Sequence, residues 1–85
     1  MHSFALYPNP VEDRLHLRVE ASFSQHLQMQ LFDAVGRSYG TPPFLDVQGE
    51  LQLDCSGLGS GAYFLVLRSD DGRQVLTLPF IRQGH

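Results

Sequence analysis

The sequence contains no lysine, no tryptophan and a single cysteine, Cys55. A lone cysteine closes no internal disulfide, so the fold must rest on its core. The cations are six arginines scattered singly (Arg14, Arg18, Arg37, Arg68, Arg73 and Arg82) against nine carboxylates, and the net charge is -3. There is no basic cluster to neutralise phosphates, which argues against a nucleic-acid partner and against a polybasic membrane signal. No apolar run approaches the roughly 20 residues of a membrane span, so no direct membrane insertion is expected. The amino terminus lacks a charged n-region followed by an apolar h-region, so no signal peptide is expected in this stretch, and any such signal would have to sit on a longer parent chain.

Chemistry-bearing patterns are equally scarce. His2, His16, His26 and His85 have no metal-ligand spacing. Gly57 to Gly61 lacks the spacing of a dinucleotide fingerprint, and a strand follows where a helix should begin. Ser60 does not stand in a Gly-x-Ser-x-Gly elbow, because Leu58 occupies the first glycine position. Asp70 and Asp71 supply too few oxygens for calcium and read as a solvated turn. Cys55 reads as a small buried hydrophobe. The expectation is a domain without catalytic, metal or cofactor-binding residues.

What the 85 residues do contain is a period of two. Leu15, Leu17 and Val19 alternate with Arg14, His16, Arg18 and Glu20. Leu27, Met29 and Leu31 alternate with His26, Gln28 and Gln30, and Leu51 and Leu53 with Glu50, Gln52 and Asp54. Each pattern is a half-buried strand. Tyr63 to Leu67 and Val75 to Ile81 are apolar on both faces, as in strands covered on both sides. Pro79 removes a donor from the second run, which makes that strand an edge or gives it a bulge.

Turn signals divide these runs. Asp33-Ala34-Val35-Gly36 fits a type I turn, Asp70-Asp71-Gly72 fits a hairpin, Thr41-Pro42-Pro43 ends a short strand, and Gly57 to Gly61 forms a corner. About seven strands follow, at 4–7, 14–20, 26–32, 37–39, 50–55, 62–69 and 73–82. One sheet would leave a face of the doubly apolar runs wet. The expected fold is therefore all-β, an antiparallel immunoglobulin-like β-sandwich, with the domain spanning residues 4–82 and short flanking ends at 1–3 and 83–85.

The order of the punctuation is more specific than the fold. Tyr7-Pro8-Asn9-Pro10 opens the chain ahead of an alternating strand. Leu31-Phe32-Asp33 and Ala34-Val35-Gly36-Arg37 follow, then Leu53-Asp54, Leu58, Gly61-Ala62-Tyr63, and an apolar strand through Phe80, Ile81 and Arg82. This series resembles the type A C-terminal sorting domain of the type IX (Por) secretion system of Gram-negative bacteria, over about residues 4–82. The resemblance implies a sandwich that directs a parent protein through an outer-membrane secretion translocon. It implies transit through the periplasm, removal by a surface sortase, and delivery of an N-terminal cargo domain to the cell surface or the medium. Gly59 and Ser60 stand where the family often has Pro and Ala, Pro79 lies ahead of the terminal Phe80-Ile81, and Gln83-Gly84-His85 extends past the usual end.

Read from the residues alone, Tyr7-Pro8-Asn9-Pro10 is a stiff segment, either a presented epitope or an opening strand with Tyr7 packed on the core. Asp33 is expected to accept from the turn's backbone, with Gly36 in a left-handed conformation. Tyr63 is expected in the core with its hydroxyl reaching the surface. The competing reading is an immunoglobulin- or fibronectin-like adhesion or carbohydrate-binding module, which needs exposed aromatics on one face. Phe32, Tyr63, Phe64 and Phe80 instead read as core. For the sorting reading, the last strand is expected to offer unpaired edge groups to a partner.

Overall fold

A computed structural model describes residues 4–19, 28–47, 50–69 and 72–84. Among them there is no helix, and eight strands form two antiparallel sheets of four. They are β1 (Phe4–Tyr7), β2 (Arg14–Val19), β3 (Gln28–Asp33), β4 (Ser38–Gly40), β5 (Phe44–Val47), β6 (Glu50–Asp54), β7 (Gly61–Arg68) and β8 (Val75–Arg82). The sheets have orders β1-β2-β6-β5 and β4-β3-β7-β8, the arrangement of an immunoglobulin-like sandwich. Glu20, His26, Leu27, Asp70 and Asp71 lie outside the described residues, as do His2 and His85.

The alternation predicts the inner faces. Leu15 and Leu17 pair across to Leu53 and Leu51, while Met29 and Leu31 pair across to Leu67 and Leu65. These eight leucine and methionine side chains, with Val11, Cys55, Tyr63 and Phe80, fill the space between the sheets, with Leu51 at its margin. Each fully buried large side chain contributes about 1.5–3 kcal/mol of transfer free energy, which is what holds the two layers together.

Three expectations change. β5 is a strand that the sequence pattern does not reveal, because Thr41-Pro42-Pro43 masks its start and its Phe44 and Leu45 remain exposed. Tyr63 to Leu67 is a central strand, but Val75 to Ile81 is not. β8 is an edge strand, and Val75 and Ile81 on its outer face stay half exposed. Phe32 and Phe64 pair on the outer face of the second sheet and are only half buried, unlike Tyr63 and Phe80.

Pro79 does mark an edge. The register between β7 and β8 runs from Gly61↔Arg82 to Arg68↔Val75 with no shift at Phe64↔Pro79. In an antiparallel strand both backbone groups of one residue point the same way, and alternate residues point to opposite sides. Ile81 and Gln83 bond away from β7, so Pro79 also faces away, where the missing N–H breaks no ladder bond.

Candidate functional site

The Tyr7 to Pro10 segment is built into the terminal strand. Both of its Xaa-Pro peptide bonds are cis. Asn9 Oδ1 accepts the Ile81 N–H at 3.0 Å. Val11, fully buried, then lies parallel to Arg82: its N–H donates to the Ile81 carbonyl and its carbonyl accepts the Gln83 N–H, both at 2.8 Å. The outer edge of β8 is therefore occupied at its carboxy-terminal end, and the expectation of unpaired edge groups does not hold for Ile81 and Gln83. Tyr7 does not pack into the core. It is 41% exposed, stacks on its cross-strand partner His16 at 5.2 Å, and donates a hydrogen bond to the Glu50 carboxylate. That acceptor bond, then burial and the Glu50 charge, push the Tyr7 phenol above its ordinary value.

Arg82 ends the ribbon with a buried guanidinium, 6% exposed. Its Nε donates to the Cys55 carbonyl at 2.9 Å, and Nη2 lies 3.8 Å from the Asp13 carboxylate. Asp13 in turn gives its carbonyl to the Cys55 N–H at 2.7 Å, and the Cys55 carbonyl also accepts from the Leu58 N–H at 3.0 Å. Arg82 thus ties the first loop, the end of β6 and the Leu58 turn into one joint. Arg82 Nη1 makes no hydrogen bond and lies under Gly84. A Cβ on Gly84 would stand 2.8 Å from Nη1 and 2.7 Å from Ser60 Oγ, so the tail follows this path because residue 84 has no side chain. The Gly84 N–H donates to Ser60 Oγ at 2.9 Å.

The Asp33 turn forms as its residues predict. Asp33 Oδ1 accepts the Val35 and Arg37 N–H groups at 3.0 and 2.9 Å, and Gly36 takes φ of 89°. The Tyr39 hydroxyl and Arg37 Nε reach Oδ2, both at 3.2 Å. Desolvation pushes the Asp33 carboxyl up, but these donors and the Arg37 charge outweigh it and hold the group below the usual carboxylate range. Tyr63 is buried, as expected. Its hydroxyl donates to the Gly59 carbonyl at 2.8 Å and so pins the Gly57 to Gly61 corner. Tyr63 meets Tyr39 edge-on at 5.9 Å and Phe80 face-on at 5.7 Å.

These motifs, distant in sequence, gather at one end of the sandwich. The register places Asp33 opposite Tyr63, Tyr63 opposite Phe80, Gly61 opposite Arg82, and Arg82 beside Val11. The Asp33 turn and the Gly61 corner face each other across a shallow depression of about 300 Å³. Tyr7, with His16 and Glu50, lies on the outer face of the first sheet. Val11, Asp13 and Tyr39 join the site without having been singled out in the sequence. Only Val11, an isolated apolar residue between Pro10 and a run of polar ones, carries a signal that reasoning could have used. Among the described residues no three His, Cys, Asp or Glu side chains converge as metal ligands.

The comparisons with known proteins agree with this geometry. No curated protein matches the chain. A solved structure, described as PorZ, an essential bacterial surface component of the type-IX secretion system of Porphyromonas gingivalis, superposes with a TM-score of 0.69 at 19% identity. The match covers 94% of this chain and 11% of PorZ, so the chain spans about a tenth of that protein and shares its fold there. The family model described as secretion system C-terminal sorting domain matches residues 5–78. With its ordered motifs folded onto one end of a sandwich, the chain belongs to the secretion system C-terminal sorting domain family.

Proposed function

We propose that this domain is the address of a longer exported protein, read as a folded object through its motif-bearing end by an outer-membrane translocon of the type IX system. A surface sortase then cuts ahead of β1 and separates the domain from its cargo. The observation that carries this reading is the convergence of Asn9, Asp33, Gly61 and Ile81–Arg82 on one end of the sandwich. Every sandwich collects its turns at its two ends, and here the residues of the ordered motif series fall together at one of them. The side chains that the domain presents there are Val35 and Arg37 on the turn and Ile81 on the ribbon, all exposed. Asp33, Gly36, Leu58, Tyr63 and Phe80 hold these presenters in place from within.

The test is export of a secreted reporter fused ahead of residue 1, in a bacterium that carries the type IX system. The full chain should deliver the reporter to the surface or the medium, and a strain without the translocon should retain it. Removal of Leu78–His85 should abolish delivery, with folding of the truncated domain checked separately. An Arg37→Glu, Val35→Asp double variant that folds normally should be exported several-fold less. Full export of that double variant would show that this end is not the face being read.

A further inference from the structure

We propose that Asn9 and Val11 are positioning residues of the terminal ribbon, so that the sorting signal is discontinuous: its readable end, Ile81–Gln83, is held in register by a segment more than seventy residues earlier. The proposal rests on the sorting reading above and extends it to residues that no comparison assigns.

The argument is one of hydrogen-bond direction. From Val75 to Gln83 the odd-numbered residues turn their backbone groups away from β7. Pro79 has no N–H to offer, which isolates the groups beyond it from those at Val75 and Thr77. Past that break the ribbon receives three bonds from the other side, one from Asn9 Oδ1 and two from the Val11 backbone. Ile81, Arg82 and Gln83 are thus clasped between β7 and the Pro10 loop. Strand ends without partners on one side open with small free energies. Without this clasp the backbone of Ile81–Gln83 would keep a strand partner on the β7 side only, and the Arg82 guanidinium, which reaches Asp13 in the same loop, would lose a neighbour. Val11 is itself in the core, so the loop cannot drift without exposing it. Asn9 is the reversible half of the clasp, since it is exposed and contributes a side-chain oxygen only.

The test uses the full chain fused to the reporter, with amide hydrogen exchange measured on the same chain. Asn9→Ala should lower protection of the Ile81 amide roughly fivefold or more, the loss of one hydrogen bond. It should leave protection in β2 and β6 unchanged and reduce export several-fold. Asn9→Asp keeps an acceptor oxygen at Oδ1 and should restore both protection and export. Wild-type export of Asn9→Ala with protection lost would overturn the proposal, because the ribbon would then be read without its clasp. Restored protection without restored export in Asn9→Asp would also overturn it, since the Asn9 amide would then be contacted directly. Should Asn9→Ala unfold the domain, the Asn9→Asp comparison decides alone. If the unaltered chain delivers no reporter, the sorting reading itself fails, and the exchange measurement still reports whether the clasp exists.

Discussion

Asn9 Oδ1 accepts the amide of Ile81 across 72 residues of sequence, and this bond joins the first motif of the chain to the last. The neighbouring Val11–Arg82 bridge continues the same junction. The consequences of this closed end, and of the core beneath it, can be measured.

Arg82→Lys should destabilise the domain although it keeps the charge. Lysine has no Nε–H fork, so the Cys55 carbonyl loses its charged donor and the ammonium is left in a nearly dry site. The expected cost is about 1.5–3 kcal/mol, read as a lower urea midpoint with an unchanged slope.

Leu65→Ala removes a fully buried side chain at the centre of β7. Such truncations cost about 2–5 kcal/mol. A domain of this size is stable by roughly 4–13 kcal/mol, at about 0.05–0.15 per residue. The variant should therefore lose a large share of its stability, visible as a fall of many degrees in its thermal midpoint. A surface change such as Thr77→Ser should move the midpoint little.

Acid should weaken the fold through Asp33 and Asp54. The Asp33 shift is described above. Asp54 is lowered by the Ser56 hydroxyl and N–H, against a smaller opposing effect of desolvation. Folded values below the unfolded one of about 3.9 mean that both groups add stability above that pH and lose it as pH falls through their folded values. Asp33→Asn should flatten this acid limb in chemical unfolding curves collected down the pH scale, and the wild-type chain should be steeper there.

Cys55 should resist alkylation while the domain is folded. Burial pushes its thiol up, against a smaller lowering by the Arg82 charge, and the side chain is 1% exposed. Its modification rate should follow the population of unfolded chain and rise in step with urea. Rapid labelling in native buffer would show that the end of β6 opens locally.

Much of the sandwich was legible because burial on one face writes a period of two into the sequence. Leu15, Leu17, Met29, Leu31, Leu51 and Leu53 were placed by it, and the Asp33 turn was readable from local chemistry. The order of the motifs was enough to indicate the family. Alternation tells which side chains share a face but is silent on which strands are neighbours, so β8 looked covered on both faces although its outer face is half exposed, and Pro79 alone pointed to an edge. β5 was hidden because an edge strand of four residues needs no clean pattern. The docking of Val11 onto β8 was beyond sequence reasoning, since a backbone bridge is indifferent to residue type, and nothing local tells which distant amide the Asn9 side chain will meet. Tyr7 was left between exposure and the core, because its partner His16 makes a surface stack that no hydrophobic count would suggest.

Pro79 has one further effect. A half-open rim with apolar flanks such as Val75 and Ile81 is the kind of template along which copies of a chain stack into fibres. With a proline in the middle and the Pro10 loop covering the far end, no continuous row of donors remains for another molecule to copy. One imino acid thus guards this margin against self-association.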